Sequence, residues 1–352
     1  MAYERTWDGR PARARSAADA ARESYYGVPP IHPPHWKWLV VTYFYLGGLA
    51  AGSYVASSIA ELVGGQGARR IVRAGRYLSL AALLPCPPLL ILDLGRPERF
   101  LYMLRVLKLR SPMSAGVWGL LAFSGFCGLS AMTQAARDGL LGGGVAARLL
   151  LRVPSKLLGV LGMGPAFFLG SYTGVLLAAT AVPLWTRSHL LIGPLFLTSA
   201  VSNATAAIAL VLSLARGTRL ETLERLERLD GFALLADLGL LAALRVHLGP
   251  SLARPLETGR LGWLFRGGVV AAGLLAPLGL HWTFAVRNRT PRGATSLASA
   301  LVLLGGFLLR YTMIAAGRAS ALDPRATFEL AAPGAAQAGG LTAGGSGAPR
   351  PG

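Results

Sequence analysis

Acidic side chains next to or inside long apolar segments are the residues of this sequence best suited to chemistry. Asp93 closes the apolar run 75–92, and Asp230 and Asp237 are seven residues apart, which places them two turns apart on one helix face. A charge inside a membrane-spanning helix costs about 2.5–3.5 kcal/mol on insertion scales, so such residues are usually functional. We therefore predict a proton path that uses Asp93 and Asp237.

Each of these carboxylates also has a structural interpretation. Asp93 is followed by Arg96 and Arg99, and an ion pair among them would simply close a loop at the membrane surface. The alternative is a proton-handling or headgroup-binding carboxylate at the mouth of a pocket. Asp230 could begin its helix, and Asp237 could make a buried structural hydrogen bond. These alternatives stay open.

The histidines and cysteines do not have the spacing of metal ligands. Axial haem ligands require histidine pairs at matched depth on facing helices, whereas the histidines here lie near the ends of apolar segments or in the N-terminal arm, at His32, His35, His189, His247 and His281. Cys86 and Cys127 both lie inside apolar segments. We predict no haem and no iron–sulfur cluster in this chain. His35, beside Trp36, could donate to a quinone carbonyl or be an ordinary interfacial histidine.

The elements that must position these residues are membrane-spanning helices. Hydrophobic residues make up 53% of the chain and charged residues only 14%, well below the roughly 25% of soluble proteins. Apolar runs of about 20 residues, the length that spans a bilayer, recur along the chain. We predict an all-α integral membrane protein with about eight transmembrane helices, at 38–61, 75–92, 115–134, 165–183, 190–214, 229–248, 266–285 and 294–316.

The segments outside the spans have distinct compositions. Residues 96–110 interleave apolar and basic side chains, which predicts an amphipathic helix lying in the interface between the second and third spans. Residues 1–35 form a polar, Pro-rich arm, residues 36–318 the transmembrane domain, and residues 319–352 a low-complexity tail predicted to be disordered.

Glycine residues indicate how the helices pack, and proline residues indicate where they break. Gly48 and Gly52 have the GxxxG spacing that lets helices approach closely in membranes. Pro85 is expected to break the second span.

Glu61, at the far end of the first span, is interpreted as an interface marker.

The net charge of +19 would suggest a nucleic-acid partner in a soluble protein. Here the basic residues cluster between apolar segments, as in Arg69, Arg70 and Arg73, where headgroup anchors and topology signals belong. We predict no nucleic-acid binding. Lys and Arg are divided too evenly between the two faces to predict an orientation.

Several motifs are similar to one family. The run Trp38–Gly52 resembles the first helix of the NrfD/polysulfide reductase membrane-subunit family, and Leu92–Phe100 resembles its D-L-G-R-P-x-R-F loop. Ser111–Ser114 and Trp118 resemble the start of its third helix. The resemblance covers residues 36–214 and is carried most specifically by the loop motif.

The resemblance implies a function and partners. Members of this family are membrane anchors of modular respiratory complexes in the bacterial inner (cytoplasmic) membrane, and they bind a quinone or quinol. They exchange electrons with a ferredoxin-like iron–sulfur subunit docked on one face. That subunit connects to a catalytic subunit, either a molybdopterin enzyme or a multihaem cytochrome. For this protein the resemblance implies a non-catalytic or quinone-reactive subunit, with menaquinone as the expected quinone.

The resemblance also implies quinone-site residues. Tyr172 matches the fourth-helix tyrosine implicated in quinone binding, His35 is an approximate counterpart of a first-helix histidine, and Asp93 and Arg96 match the loop at the pocket rim. Trp118 belongs to the third-helix motif.

A straight fourth helix would place Tyr172 too far from the membrane interface for one quinone ring to reach both Tyr172 and Asp93. Tyr172 precedes Trp185, interpreted as an interface marker, by 13 residues, or about 20 Å of helix. We therefore expect that one quinone ring does not contact both Tyr172 and Asp93.

The alternative interpretation is a secondary transporter or an ion-translocating subunit. Such proteins show internal repeats with helices broken at matching positions. Pro85 and Pro277 are expected to break the second and seventh spans, but the two halves of the sequence match poorly.

Overall fold

The protein is a bundle of membrane-spanning helices. A computed structural model describes residues 31, 34, 36, 38–65, 68–105, 107–108, 110–215, 220–287 and 291–323, and these contain helices and no strand. Eight of the helices are long and apolar enough to cross a membrane. These eight spans are Trp38–Val63, Arg69–Asp93, Pro112–Arg137, Ser155–Ala178, His189–Leu214, Leu220–Glu257, Gly259–Phe284 and Arg292–Leu322. The prediction of an eight-span, multi-pass membrane protein is confirmed.

Three parts of the predicted organisation fall outside this description. The N-terminal arm up to residue 30, His35 and the tail beyond Asp323 lie outside the described residues. The eighth span continues to Leu322, a short way past the predicted domain boundary at 318.

The first and fifth spans form the centre of the bundle, since most of their residues are buried. The fifth span packs against the first, fourth, sixth and eighth spans, and the first also packs against the second and fourth. Gly52 permits a close approach of the first and fifth spans, because a Cβ there would lie 2.2 Å from the Ala200 carbonyl oxygen. Gly48 faces the same Ala200, so the predicted GxxxG packing is confirmed.

The second span is broken as predicted. It consists of the helices Arg69–Leu83 and Cys86–Asp93, with Pro85 between them. Proline has no N–H to donate within a helix and its ring crowds the preceding turn, which accounts for the break.

The sixth and seventh spans are also irregular. The sixth bends at Gly249, whose φ of 70° and ψ of 177° lie outside the helical region. The seventh contains a short helix Gly259–Trp263 and a π-helical stretch Leu264–Leu275 before its last helix begins at Ala276, one residue before Pro277.

Several predicted span boundaries are wrong, among them the end of the sixth span, at Glu257 rather than 248, and the start of the seventh, at Gly259 rather than 266. The fourth span begins at Ser155 rather than at 165, and the sixth begins at Leu220 rather than at 229. Asp230 therefore lies well inside its helix and does not begin it. Hydropathy locates the part of a helix that faces lipid, whereas the helical hydrogen bonds continue into polar residues beyond it.

The loop after the second span contains a 3₁₀ turn at Pro97–Arg99 and a six-residue helix at Phe100–Arg105. None of its described side chains is buried; Leu101 and Tyr102 are each 64% exposed. Its position in the membrane interface stays a prediction.

Candidate functional site

Tyr172 lies near the end of the fourth span. The span ends at Ala178, six residues further on, which is about 9 Å along the helix. Trp185 belongs to a separate short helix, Pro183–Arg187, and is fully buried with its Nε1 donating to the Met313 carbonyl oxygen at 2.9 Å. The straight helix from which the separation of about 20 Å is calculated is therefore wrong, because the fourth span ends at Ala178 and does not continue to Trp185.

Tyr172 links the third and fourth spans through its side chain. Its hydroxyl donates to the Pro112 carbonyl oxygen at 2.5 Å, in the first turn of the third span. Its ring stacks on Phe168 with a centroid distance of 5.2 Å. Gly116 packs directly on this ring, and a Cβ there would lie 2.2 Å from the Tyr172 hydroxyl oxygen. The tyrosine is thus held by contacts on both spans.

Two apolar grooves, here called the Trp118 grooves, flank the third span. One has a volume of about 380 Å³ and is lined by Leu107, Ala115, Trp118, Gly119, Ala122, Gly164, Pro165 and Phe168. The other has a volume of about 420 Å³ and is lined by Trp118, Leu121, Ala122, Gly125, Phe126 and Leu129. Trp118 and Ala122 belong to both. Phe168, which stacks on Tyr172, forms part of the first groove.

The indole N–H of Trp118 (Nε1) is a buried hydrogen-bond donor without an acceptor among the described residues. A buried donor left unpaired costs about 1–3 kcal/mol. A hydrogen-bond acceptor that reached this N–H would remove that cost.

Asp93 and Arg96 lie at the same end of the bundle as Tyr172. Asp93 is the last residue of the second span and is half-buried, whereas Arg96 is exposed in the loop that follows. The same loop supplies Leu107 to the first groove. The structure thus places Leu107 of this loop, but no described residue of the motif 92–100, in the lining of the grooves. Trp118 and Tyr172 lie near one another on neighbouring spans.

A second group of polar residues is buried among the fifth to eighth spans. Asp237 is 1% exposed and accepts a hydrogen bond from the Thr198 hydroxyl. Asp230 accepts from Ser202 at 2.9 Å and from Thr205 at 3.2 Å. Both carboxylates therefore face hydroxyl groups of the fifth span, and the predicted burial of Asp237 is confirmed.

Sequence reasoning missed two members of this group on the side of Asp230. Glu227, one turn before Asp230, is buried and accepts from Thr295 at 2.6 Å. The His281 Nε2 lies 3.9 Å from the Asp230 Oδ2. Glu227 and His281 also line a cavity of about 460 Å³ between the sixth and seventh spans. The spacing Glu227, Asp230, Asp237 on one helix face is the signal that would have identified the row.

Arg310 was missed as well. It is 1% exposed on the eighth span and donates to the Ser199 Oγ at 2.5 Å, the Phe196 carbonyl oxygen at 3.0 Å and the Gly306 carbonyl oxygen at 3.2 Å. It interacts electrostatically with Asp237. Its position inside the apolar run 297–316 would have identified it.

The described residues contain no group of three or more His, Cys, Asp or Glu side chains near enough to one another to hold a metal ion. Cys86 and Cys127 are buried free thiols.

Comparison with known proteins identifies the family. Residues 30–321 match the family model described as Polysulphide reductase, NrfD. This protein belongs to the NrfD family. Over 300 residues, covering 80% of its length and 94% of the relative, it is 28% identical to the polysulfide reductase C chain of Wolinella succinogenes. Over 318 residues, covering 82% and 97%, it is 26% identical to the protein NrfD homolog of Haemophilus influenzae.

The matched region of this NrfD-family protein spans all eight helices, so the family likeness inferred from motifs in the first half extends to the second half. Within it, the Trp118 grooves offer an apolar surface with one unmet donor, and the buried carboxylate row offers groups that can exchange protons. Family membership supports a role as a membrane anchor.

Proposed function

We propose that this NrfD-family protein is the quinone-linked membrane anchor of a modular respiratory oxidoreductase complex in the bacterial inner membrane. The observation that carries the proposal is the Trp118 Nε1, a buried donor without a described partner beside two apolar grooves. A quinone combines a ring that accepts hydrogen bonds at its carbonyl oxygens with a long apolar tail. The grooves fit both parts.

In this proposal Trp118 donates to one quinone carbonyl while Leu121, Ala122 and Leu129 contact the isoprenoid tail. Phe168 forms the opposite wall of the first groove. Because these side chains are apolar, they exclude water from the ring and leave the hydrogen bond to set its orientation.

Tyr172 is proposed as the second donor. Its hydroxyl must exchange the Pro112 carbonyl for the quinone, and its stacking on Phe168 keeps it at the groove wall. Reduction of a quinone takes two electrons and two protons, so protons must reach the site from water. We propose that Asp93, half-buried at the end of the second span, transfers these protons at the rim of the site, and that Arg96 in the following loop contributes to the same rim. His35 is proposed to contribute a further donor.

The electrons are proposed to come from, or pass to, partner subunits. One relative is named as the C chain of a polysulfide reductase, a name that denotes one polypeptide of several. We propose a ferredoxin-like iron–sulfur subunit docked on one face of the bundle, connected to a molybdopterin enzyme or a multihaem cytochrome. Menaquinone is the quinone we expect.

The buried carboxylates favour a second activity of the same protein, proton translocation. Glu227, Asp230 and Asp237 extend along one face of the sixth span, and each accepts a hydrogen bond from a threonine or serine on a neighbouring span. A row of carboxylates and hydroxyl groups through a membrane is typical of proton relays. Asp237 is proposed as its central group.

The proposal is tested by purifying the complex in mild detergent, identifying its subunits and extracting its quinone. Trp118→Phe keeps an aromatic ring and removes the donor, so we expect it to lower the quinone bound per protein at least fivefold. Trp263→Phe, on a 71% exposed tryptophan of the seventh span, is the matched control. A homogeneous preparation without an iron–sulfur subunit and without quinone would contradict the anchor function, and an unchanged quinone content in Trp118→Phe would contradict the site.

A further inference from the structure

A basic cavity lies at the end of the bundle opposite to the Trp118 grooves, where the first span ends and the second begins. Its volume is about 650 Å³. Five basic and two acidic side chains line it, an excess of three positive charges. These charged residues are Arg69, Arg70, Arg73, Arg137, Lys156, Glu61 and Asp138.

The first acidic residue of the cavity is already fully bonded. Glu61 accepts from the buried Arg76, from Arg137 at 3.2 Å and from the Ser155 hydroxyl at 2.5 Å. Its charge is therefore balanced by two arginines. It has little capacity left to neutralise the other basic side chains of the cavity.

The second acidic residue is bonded in the same way. Asp138 accepts from Arg73 at 3.0 Å, from the Tyr77 hydroxyl at 2.7 Å and from the Gln134 amide at 3.1 Å. Because both carboxylates are committed to these partners, the cavity keeps its positive excess.

Two helix N-termini add to this positive potential. The second span begins at Arg69 without an acidic residue in its first turn and without a side-chain cap, and the fourth span, which begins at Ser155, lacks both as well. The N-terminus of a helix carries a partial positive charge and favours anions. Arg69 and Lys156 stand in these first turns, where a bound anion would be stabilising.

An apolar groove adjoins the basic cavity. It has a volume of about 550 Å³, and Arg70 and Arg73 line both. Beyond these two arginines the groove follows the second and fifth spans along Ala74, Tyr77, Leu78, Ala81, Val211, Leu212 and Ala215. A basic cavity continuous with an apolar groove along membrane-spanning helices has the chemistry of a phospholipid, with a phosphate at one end and an acyl chain at the other.

We propose that the basic cavity and its groove bind an anionic glycerophospholipid, with the phosphate between Arg69 and Lys156 and one acyl chain against Leu78 and Val211. The lipid phosphate supplies negative charge to these basic side chains, because Glu61 and Asp138 already accept hydrogen bonds from other partners. It thereby stabilises the packing of the first four spans at this end.

The test is native mass spectrometry of the complex purified in mild detergent and supplied with dioleoyl phosphatidylglycerol or dioleoyl phosphatidylcholine. We expect phosphatidylglycerol to be retained at least tenfold more than phosphatidylcholine. The double variant Arg69→Gln/Lys156→Gln should abolish this preference. Arg148→Gln/Arg152→Gln removes two exposed charges from the nearby helix Val145–Arg152, outside the cavity, and should preserve it.

Several other outcomes would overturn the proposal. Equal retention of the two lipids, or a preference that survives in Arg69→Gln/Lys156→Gln, would show that the cavity does not select the lipid. Inorganic phosphate that raises the melting temperature as much as phosphatidylglycerol would identify a free anion as the ligand. Protection of Lys156 from an amine-reactive reagent by a partner subunit, without selective lipid retention, would identify a protein surface as the occupant.

Discussion

The Tyr172 hydroxyl donates to the Pro112 carbonyl oxygen at 2.5 Å and so ties the fourth span to the first turn of the third. This bond lies beside the Trp118 grooves, because the Tyr172 ring stacks on Phe168. Tyr172, which we propose as a quinone donor, therefore also joins the third and fourth spans, whose residues line the first groove.

Tyr172→Phe removes the hydroxyl and keeps the aromatic ring, so it tests the hydrogen bond alone. We expect it to lower the free energy of unfolding by about 1 kcal/mol, the typical net value of one hydrogen bond, and to slow quinone-linked turnover about tenfold if the hydroxyl also contacts quinone. Thermal unfolding and quinol oxidation by the intact complex measure the two effects. Tyr102→Phe, on an exposed loop, should change neither. Unchanged unfolding of Tyr172→Phe would show that the bond to Pro112 contributes no stability.

Gly116→Ala tests the close packing on Tyr172. A Cβ at this position would lie 2.2 Å from the tyrosine hydroxyl oxygen, and overpacking of this kind costs about 1–3 kcal/mol. Gly128→Ala, on the same span, meets nothing within 4 Å and should be neutral or slightly stabilising, since alanine favours helix. The melting temperatures of the two purified variants give the comparison. Equal values would mean that the third and fourth spans are not packed as described.

Asp237→Asn tests the proton path. Asparagine keeps an oxygen that can accept from Thr198 but cannot release a proton. We expect proton uptake by the complex in liposomes to stop while quinone-linked electron transfer continues. Glu257→Gln, an exposed acid in the same span, is the control and should retain proton uptake. A pH-sensitive dye inside the vesicles measures the result, and normal acidification with Asp237→Asn would exclude Asp237 from the path.

Arg310→Met tests the buried charge on the eighth span. The variant removes three donated hydrogen bonds and a positive charge that acts on Asp237. A buried acceptor left without its donor costs about 1–3 kcal/mol, so we expect the free energy of unfolding to fall by at least about 2 kcal/mol. Arg266→Met, at an exposed position of the seventh span, should stay within about 0.5 kcal/mol of the parent.

The double variant Asp237→Asn/Arg310→Met supplies the second part of that test. If the two charges interact, its loss of unfolding free energy should be smaller than the sum of the single losses by at least about 0.5 kcal/mol. Unfolding midpoints by tryptophan fluorescence provide all three values. Strict additivity would show that the charges do not interact.

Gly249→Ala tests the bend of the sixth span. The glycine has a φ of 70° and a ψ of 177°, a combination that essentially only glycine adopts, and an added methyl group would meet nothing within 4 Å. The cost is therefore backbone strain, about 1–3 kcal/mol. Gly239→Ala, in the regular part of the same span, should be neutral or stabilising. The two melting temperatures should therefore shift in opposite directions. Equal shifts would indicate that the span is straight at Gly249.

Much of the architecture follows from hydropathy, and the exceptions have physical causes. The eight spans are predictable because each contains an apolar run long enough for the bilayer. The sixth span begins nine residues earlier than predicted, because Glu221, Glu224 and Arg225 continue the helix beyond its apolar part. Sequence reasoning interprets Trp185 as an interface marker, but its indole is buried against the eighth span, which only the tertiary packing determines.

The candidate site is predictable to a similar extent. The sequence identifies Asp237 as a candidate because a carboxylate inside a membrane-spanning segment is costly and therefore usually functional. It identifies Trp118 and Tyr172 from family motifs. Arg310 lies inside the predicted eighth span and follows the same rule as Asp237, whereas Glu227 is recognised only when the sixth span is given its correct start at Leu220. The pairing of Tyr172 with Pro112 depends on the contact between two spans, and hydropathy does not determine it.

Glu61 has a consequence for biosynthesis. Its partners are Arg76 on the second span, Arg137 on the third and Ser155 on the fourth, and a ribosome delivers them to the membrane in that order. The carboxylate can first be neutralised within a hairpin of two helices, and each later helix then joins it at the same point. The Glu61 end of the first four spans can therefore assemble in the order of synthesis, and the fifth span must then insert against the first and fourth to complete the centre of the bundle.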